Sequence, residues 1–212
     1  MKKFNAGIER RYIAPEPVVV DFPFFARRDL NVFGDAVISL GIDPSLTAMG
    51  LWMFDQGSFI KAEVSTKLKD LSRLIYFARY LEQIFYGYLP QIIVLEDYAY
   101  GARGFVHNLG ELGGLIRLLI NEYCHYTKAK QLLVSPTMLK KFATGKGNAK
   151  KSAVQLDIQK RYDIALYSDN EADAFVLSLI GFYIMMEDEE LEKDLPKFQK
   201  EVLKQCREKL LN

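Results

Sequence analysis

The chain is poor in the residues that carry much covalent and soft-metal chemistry: its 212 residues include two cysteines, two histidines and one tryptophan. Cys124 and Cys206 stand far apart and form no C-x-x-C pair, and they read as the ordinary reduced cysteines of an intracellular protein. His107 and His125 are isolated, and Cys124 and His125, adjacent on one helical pattern, cannot both face one ion. An excess of charge is missing as well. With 28 basic and 27 acidic residues the net charge is +1, so a nucleic-acid partner needs a local patch. No apolar run approaches a membrane span, since 175–186 is short and broken by Ser178 and Gly181. The opening MKKFNAGIERRYIAPEP has lysines but no apolar segment behind them, and no signal peptide is expected.

Half of the chain is apolar, enough for one core and a small appendage. Residues 1–36 read as an extension punctuated by Pro15, Pro17 and Pro23, whose DFPFFARR segment either packs on the domain or reaches a partner. The stretch VISLGIDPSLTAMGLWMF, 37–54, reads as a buried strand ending in Asp43, a Pro-Ser turn and a second strand. Gln56-Gly57 marks a hairpin into a third strand, 58–65. A helix follows over 71–86, then QIIVLED at 91–97, a buried strand that again terminates in acids. A Gly- and Tyr-rich loop leads to a helix over 106–126 that carries Gly110, Gly113 and Gly114. Each glycine costs about 1 kcal/mol in a helix interior, so their clustering implies a close neighbour. A strand at 130–134, helices from Pro136 and over 149–162, and a last core helix over 171–186 complete the domain. Residues 187–212 read as a charged amphipathic tail broken at Pro196.

Tight turns make the first three strands antiparallel, and helical crossovers make the fourth and fifth parallel to the first. The expected fold is a mixed five-stranded α/β sheet with helices on both faces.

Three acids then fall together. Asp43 ends the first strand, Glu96 ends the fourth, and Asp173 sits near the start of the last core helix. The carboxyl edge of such a sheet is where ligands bind. Taken singly, Asp43 also suits a turn, Glu96 a loop start and Asp173 a helix dipole. Converging carboxylates with no Cys or His cluster favour Mg²⁺ or Mn²⁺. Between Lys128 and Leu156 there are seven lysines and no acid, a basic stretch in an otherwise neutral chain.

These residues carry a resemblance. GIDPSLTAMGLW, VLEDYAYGARGFVHNLGELGG, SPTMLKKFATGKGNAKKSAVQ and NEADAFVLSLIG are similar, in order, to the four sequence blocks of RuvC-type Holliday-junction resolvases of the RNase H-like superfamily. The resemblance covers about 37–186. It implies an RNase H-like nuclease domain there, flanked by an extension (1–36) and a helical tail (187–212). It implies a homodimeric endodeoxyribonuclease that nicks four-way junctions in pairs and leaves 5′-phosphate and 3′-hydroxyl ends. Two Mg²⁺ ions per site, replaceable by Mn²⁺, would be held by Asp43, Glu96 and Asp173. The family's fourth metal position falls on Asn170, a departure that leaves Asp169 or Asn170 to complete the set ahead of Glu171, which would point elsewhere in a regular helix. Its two phosphate lysines fall on Lys140 and Lys151. The wider DNA face would include Tyr98, Tyr100, Arg103, Lys141, Lys146 and Lys150, with Tyr98 or Tyr100 stacking on a base. Gly110, Gly113 and Gly114 would mark the dimer surface, core packing being the other reading of those glycines. No nucleotide cofactor and no membrane are implied, and the expected location is the cytoplasm of a bacterium or a phage-infected host.

Two other functions fit parts of the pattern. A junction-binding protein without catalysis is compatible with Asn170, and an actin-like ATPase or sugar kinase also begins with a Gly-Ile-Asp strand. The second needs two such domains, and 212 residues supply one. GKGNAKKS, 145–152, misses a phosphate loop because Lys150 stands where its second glycine belongs.

Overall fold

The structure is a computed structural model that describes residues 18–21, 37–55, 58–97, 106–164 and 166–210. Three strands come in immediate succession, β2 (Ser39–Pro44), β3 (Ala48–Asp55) and β4 (Ser58–Ser65), and pair antiparallel through short turns. Helix α1 (Asp70–Tyr88) crosses over to β5 (Ile92–Glu96), and α2 (Val106–Thr127) crosses to β6 (Lys130–Val134). Both later strands run parallel to β2, β5 beside it and β6 beyond. This is the expected five-stranded mixed sheet. A sixth strand, β1 (Val18–Asp21), lies in the proline-punctuated extension and pairs antiparallel with β4, giving the order β1-β4-β3-β2-β5-β6. Its signal in the sequence is the β-branched run at 18–20.

The remaining helices are α3 (Pro136–Thr144), α4 (Lys151–Tyr162), α5 (Asp169–Met186), α6 (Glu189–Lys193) and α7 (Lys197–Leu210). The two sheet faces are covered differently. One packs Leu40, Ile42, Ile93 and Leu95 against the apolar stripes of α1 and α2. The other is laid against α5, which is buried without interruption from Glu171 to Ile184. A helix apolar on every side has to be enclosed, and α3, α4 and α7 pack against this one. Trp52, Phe54, Phe59, Phe175 and Phe182 form a connected set of edge-on and stacked rings between α5 and the sheet. Helix α7 belongs to the same core, with Val202, Leu203 and Cys206 fully buried. Residues 187–210 therefore share their packing with the body of the domain.

Glycine decides how close α5 comes. A Cβ at Gly41 would lie 2.1 Å from the Ala174 carbonyl oxygen, and one at Gly50 would lie 2.1 Å from that of Asn170. From the helix side, a Cβ at Gly181 would meet Ser39 Oγ at 2.3 Å. The helix backbone thus rests directly on β2 and β3, pinned by a 2.8 Å hydrogen bond that Ser39 Oγ donates to the Ser178 carbonyl. Among the described residues, no helix is long and apolar enough to cross a membrane.

Candidate active site at the carboxyl edge of the sheet

β2 and β5 are parallel neighbours with Ile42 opposite Leu95, so the next residue of each brings Asp43 beside Glu96. The close seating of α5 over Gly41 and Gly50 carries Asp173 to the same edge, near enough for a short side chain to reach. Carboxylate oxygens of Asp43, Glu96 and Asp173 all lie within 4.8 Å of one another. Asp43 is 4% exposed and Asp173 5%, while Glu96 is half-buried.

The charges are crowded and short of counter-charge. Burial, then a hydrogen bond and charge repulsion from Glu96, then the charge of Asp173, hold the Asp43 carboxyl well above the usual carboxylate range; Lys151 opposes them. Burial and the Glu96 charge push Asp173 up to about 7, with Asp169 adding to the rise and Lys151 and Lys140 pulling against it. Buried carboxylates raised in this way are stabilised when a cation replaces the shared protons. The donor set is all hard oxygen, which suits Mg²⁺ or Mn²⁺. The residues present fit a divalent cation.

Lysines approach from α3 and α4. Lys151 opens α4 and lies 3.7 Å from Asp169 Oδ2, both side chains about half exposed. Such an exposed pair is weak, which leaves Lys151 free to exchange partners. Lys140 is half-buried on α3, and Lys146 and Lys150 are exposed in the turn between the two helices. Lys141 faces the other way and pairs with Glu201 of α7 at 2.8 Å. Tyr98, Tyr100 and Arg103 lie outside the described residues.

The three residues left open for the fourth metal position occupy different places. Asp169 opens α5 beside Lys151, and the Asn170 carbonyl faces Gly50. Glu171 is turned away from the acids and buried, where it accepts from the Tyr167 backbone N–H at 2.9 Å and from Lys61 Nζ at 3.4 Å. The Lys61–Glu171 pair was not foreseen, because its partners lie on β4 and α5 and no local spacing links them. Asp97, next to Glu96, is paired with Arg117 of α2. Gly110 and Gly114 present an open face with nothing near the place of a Cβ, Leu118 continues it one turn on, and Gly113 is buried. Cys124 and Cys206 are free thiols that burial pushes up to about 11, too high to ionise near neutral pH.

An antiparallel β2–β3–β4 unit continued by parallel β5 and β6, with carboxylates from β2, β5 and a last core helix at one edge, defines an RNase H-like fold. Solved structures share it. The RuvC structure of Thermus thermophilus matches with a TM-score of 0.56 at 19% identity, over 71% of this chain and 97% of that one. The T. thermophilus RuvC in complex with a Holliday junction substrate matches at 0.57 and 18%, over 71% and 96%. No protein-family model matches the chain, and no curated protein matches it. The RNase H-like fold implied by the four sequence blocks is the fold of this chain.

Proposed function

We propose that this protein is a metal-dependent, structure-selective endodeoxyribonuclease that acts on four-way DNA junctions and other branched DNA. The observation that carries the reading is the carboxylate triad: Asp43, Glu96 and Asp173, drawn from three elements, within 4.8 Å and largely buried. Asp43, Glu96 and Asp173 are the residues to hold divalent cations, two Mg²⁺ or Mn²⁺ per site. Bound there, such cations supply the Lewis acidity that activates water and neutralises charge on a phosphodiester. The chain's own groups do the rest. Asp43 and Asp173 are held in place by burial, and Glu96 is the most accessible of the three acids to an approaching DNA backbone. Lys140 and Lys151, whose charges already reach Asp173, stabilise negative charge developing on the phosphate. Lys146 and Lys150 grip flanking phosphates by charge, with little base readout.

The products are 5′-phosphate and 3′-hydroxyl ends. Two subunits act on one junction, each making one nick, and the Gly110–Gly114–Leu118 face of α2 is the surface proposed to join them. The test is a nicking assay with Mg²⁺ on a four-way junction, a fork and a linear duplex. Paired nicks in the junction support the reading. Binding without nicking in either Mg²⁺ or Mn²⁺ removes catalysis from it.

A further inference from the structure

Just ahead of α5 stands a tyrosine whose placement neither the fold nor the acids require. Tyr167 is 81% exposed, the most exposed large hydrophobic side chain among the described residues, yet it is held on two sides. Its backbone N–H donates to the Glu171 carboxylate at 2.9 Å. Its ring lies over Lys61 Nζ, 4.3 Å from the ammonium to the ring centroid. Lys61 cannot follow the ring outward: it is 6% exposed, 3.4 Å from Glu171, and rests against Trp52 on the core side. The ring therefore keeps one face on a buried cation and turns the other to solvent.

An exposed aromatic gains little from burial and costs conformational freedom to fix. Here that freedom is given up before any partner arrives. Tyr167 precedes Asp169, the ion-pair partner of Lys151, by two residues, and precedes Asp173 by six. We infer that Tyr167 is a stacking platform for a nucleobase of the bound branched DNA. The buried Lys61–Glu171 pair acts as its positioning clamp. A π-face accepts any base, so the platform fits recognition by shape and serves unpaired or distorted nucleotides, as at a branch point.

The inference rests on the nuclease reading, and the experiment separates the two. Junctions are prepared with 2-aminopurine scanned through the nucleotides that flank the mapped nick, and binding is measured in EDTA with wild type and with Tyr167→Ala, →Phe and →Trp. The expected result is quenching of 2-aminopurine at one or two positions with wild type, lost with Tyr167→Ala together with about tenfold of affinity. Phe retains both effects, and Trp equals or exceeds wild type. Unchanged affinity and quenching in Tyr167→Ala, on a wild type that binds and nicks, overturns the platform alone. A Phe variant as weak as Ala overturns it too, by assigning the effect to the hydroxyl. A wild type that neither binds nor nicks branched DNA removes the nuclease reading and the platform with it.

Discussion

Two ends of α5 are acidic, and they behave differently. At its N-terminal end, Asp43, Glu96 and Asp173 come from sites scattered through the chain, are largely buried, and repel one another. Beyond its C-terminal end, Glu187, Asp188, Glu189, Glu190 and Glu192 are consecutive or nearly so and lie at or near the surface, and three of them have partners. Asp188 caps α6 by accepting from the Glu190 and Leu191 N–H groups. Glu192 pairs with Arg207, and Glu190 lies 3.8 Å from Lys193. Glu171 is the intermediate case, a buried acid with a buried cation of its own. The difference teaches that density of acids does not make a metal site. Burial without a counter-charge does, because that is where bringing in a cation relieves the most energy.

That contrast can be broken by mutation. The largest effect is expected at the triad. Asp43→Asn lowers Mg²⁺-dependent nicking of a four-way junction on the order of a thousandfold or more while junction binding in EDTA persists. Glu189→Gln, in the surface cluster, leaves the nicking rate within about twofold, surface changes away from such features being small in effect. Equal losses from both substitutions would erase the distinction.

Next comes the paired acid. Lys61→Met strands the Glu171 carboxylate in the core and costs about 3–5 kcal/mol, read as a lower denaturation midpoint. Lys61→Met combined with Glu171→Leu recovers much of that loss, because no charge is then left unpaired. Failure of the double variant to recover would mean that the pair does more than neutralise itself.

The unpaired acids predict the opposite sign. Asp173 has a folded pKa of about 7 against an ordinary value of 3.8, so the native chain holds a proton there that unfolding releases between those limits. Its contribution to stability is fully present below about pH 4 and is lost as pH rises toward about 7. In EDTA at neutral pH, Asp173→Asn should therefore melt several degrees above wild type, and the gap should close on acidification. The smallest effect belongs to the surface cluster. Arg207 also donates to the Tyr183 carbonyl at 3.1 Å, so Arg207→Ala costs about 1 kcal/mol, read as a small drop in melting temperature.

Much of the fold was legible because its strands are short apolar runs between clear turns. Ile92–Glu96 and Lys130–Val134 fall within a residue of where pattern puts them. The acids were legible for the same reason: Asp43 and Glu96 end such runs, and parallel pairing then sets them side by side. The place of α7 in the core was less so. Its apolar residues, Phe198, Val202, Leu203, Cys206 and Leu210, stand among many charged neighbours, a pattern that also suits a surface helix. The Lys61–Glu171 pair and the ring of Tyr167 over it were not legible at all. They depend on β4 meeting the start of α5, a contact set by the long-range closure of the sheet and by the close approach at Gly50.

The most direct test of the central claim needs no DNA. Titration of the protein with Mn²⁺, followed by electron paramagnetic resonance, should give saturable binding to wild type that Asp43→Asn and Asp173→Asn each weaken by at least tenfold and that Glu192→Gln leaves intact. Binding unchanged in both triad variants, or lost on substituting Glu192, would contradict it.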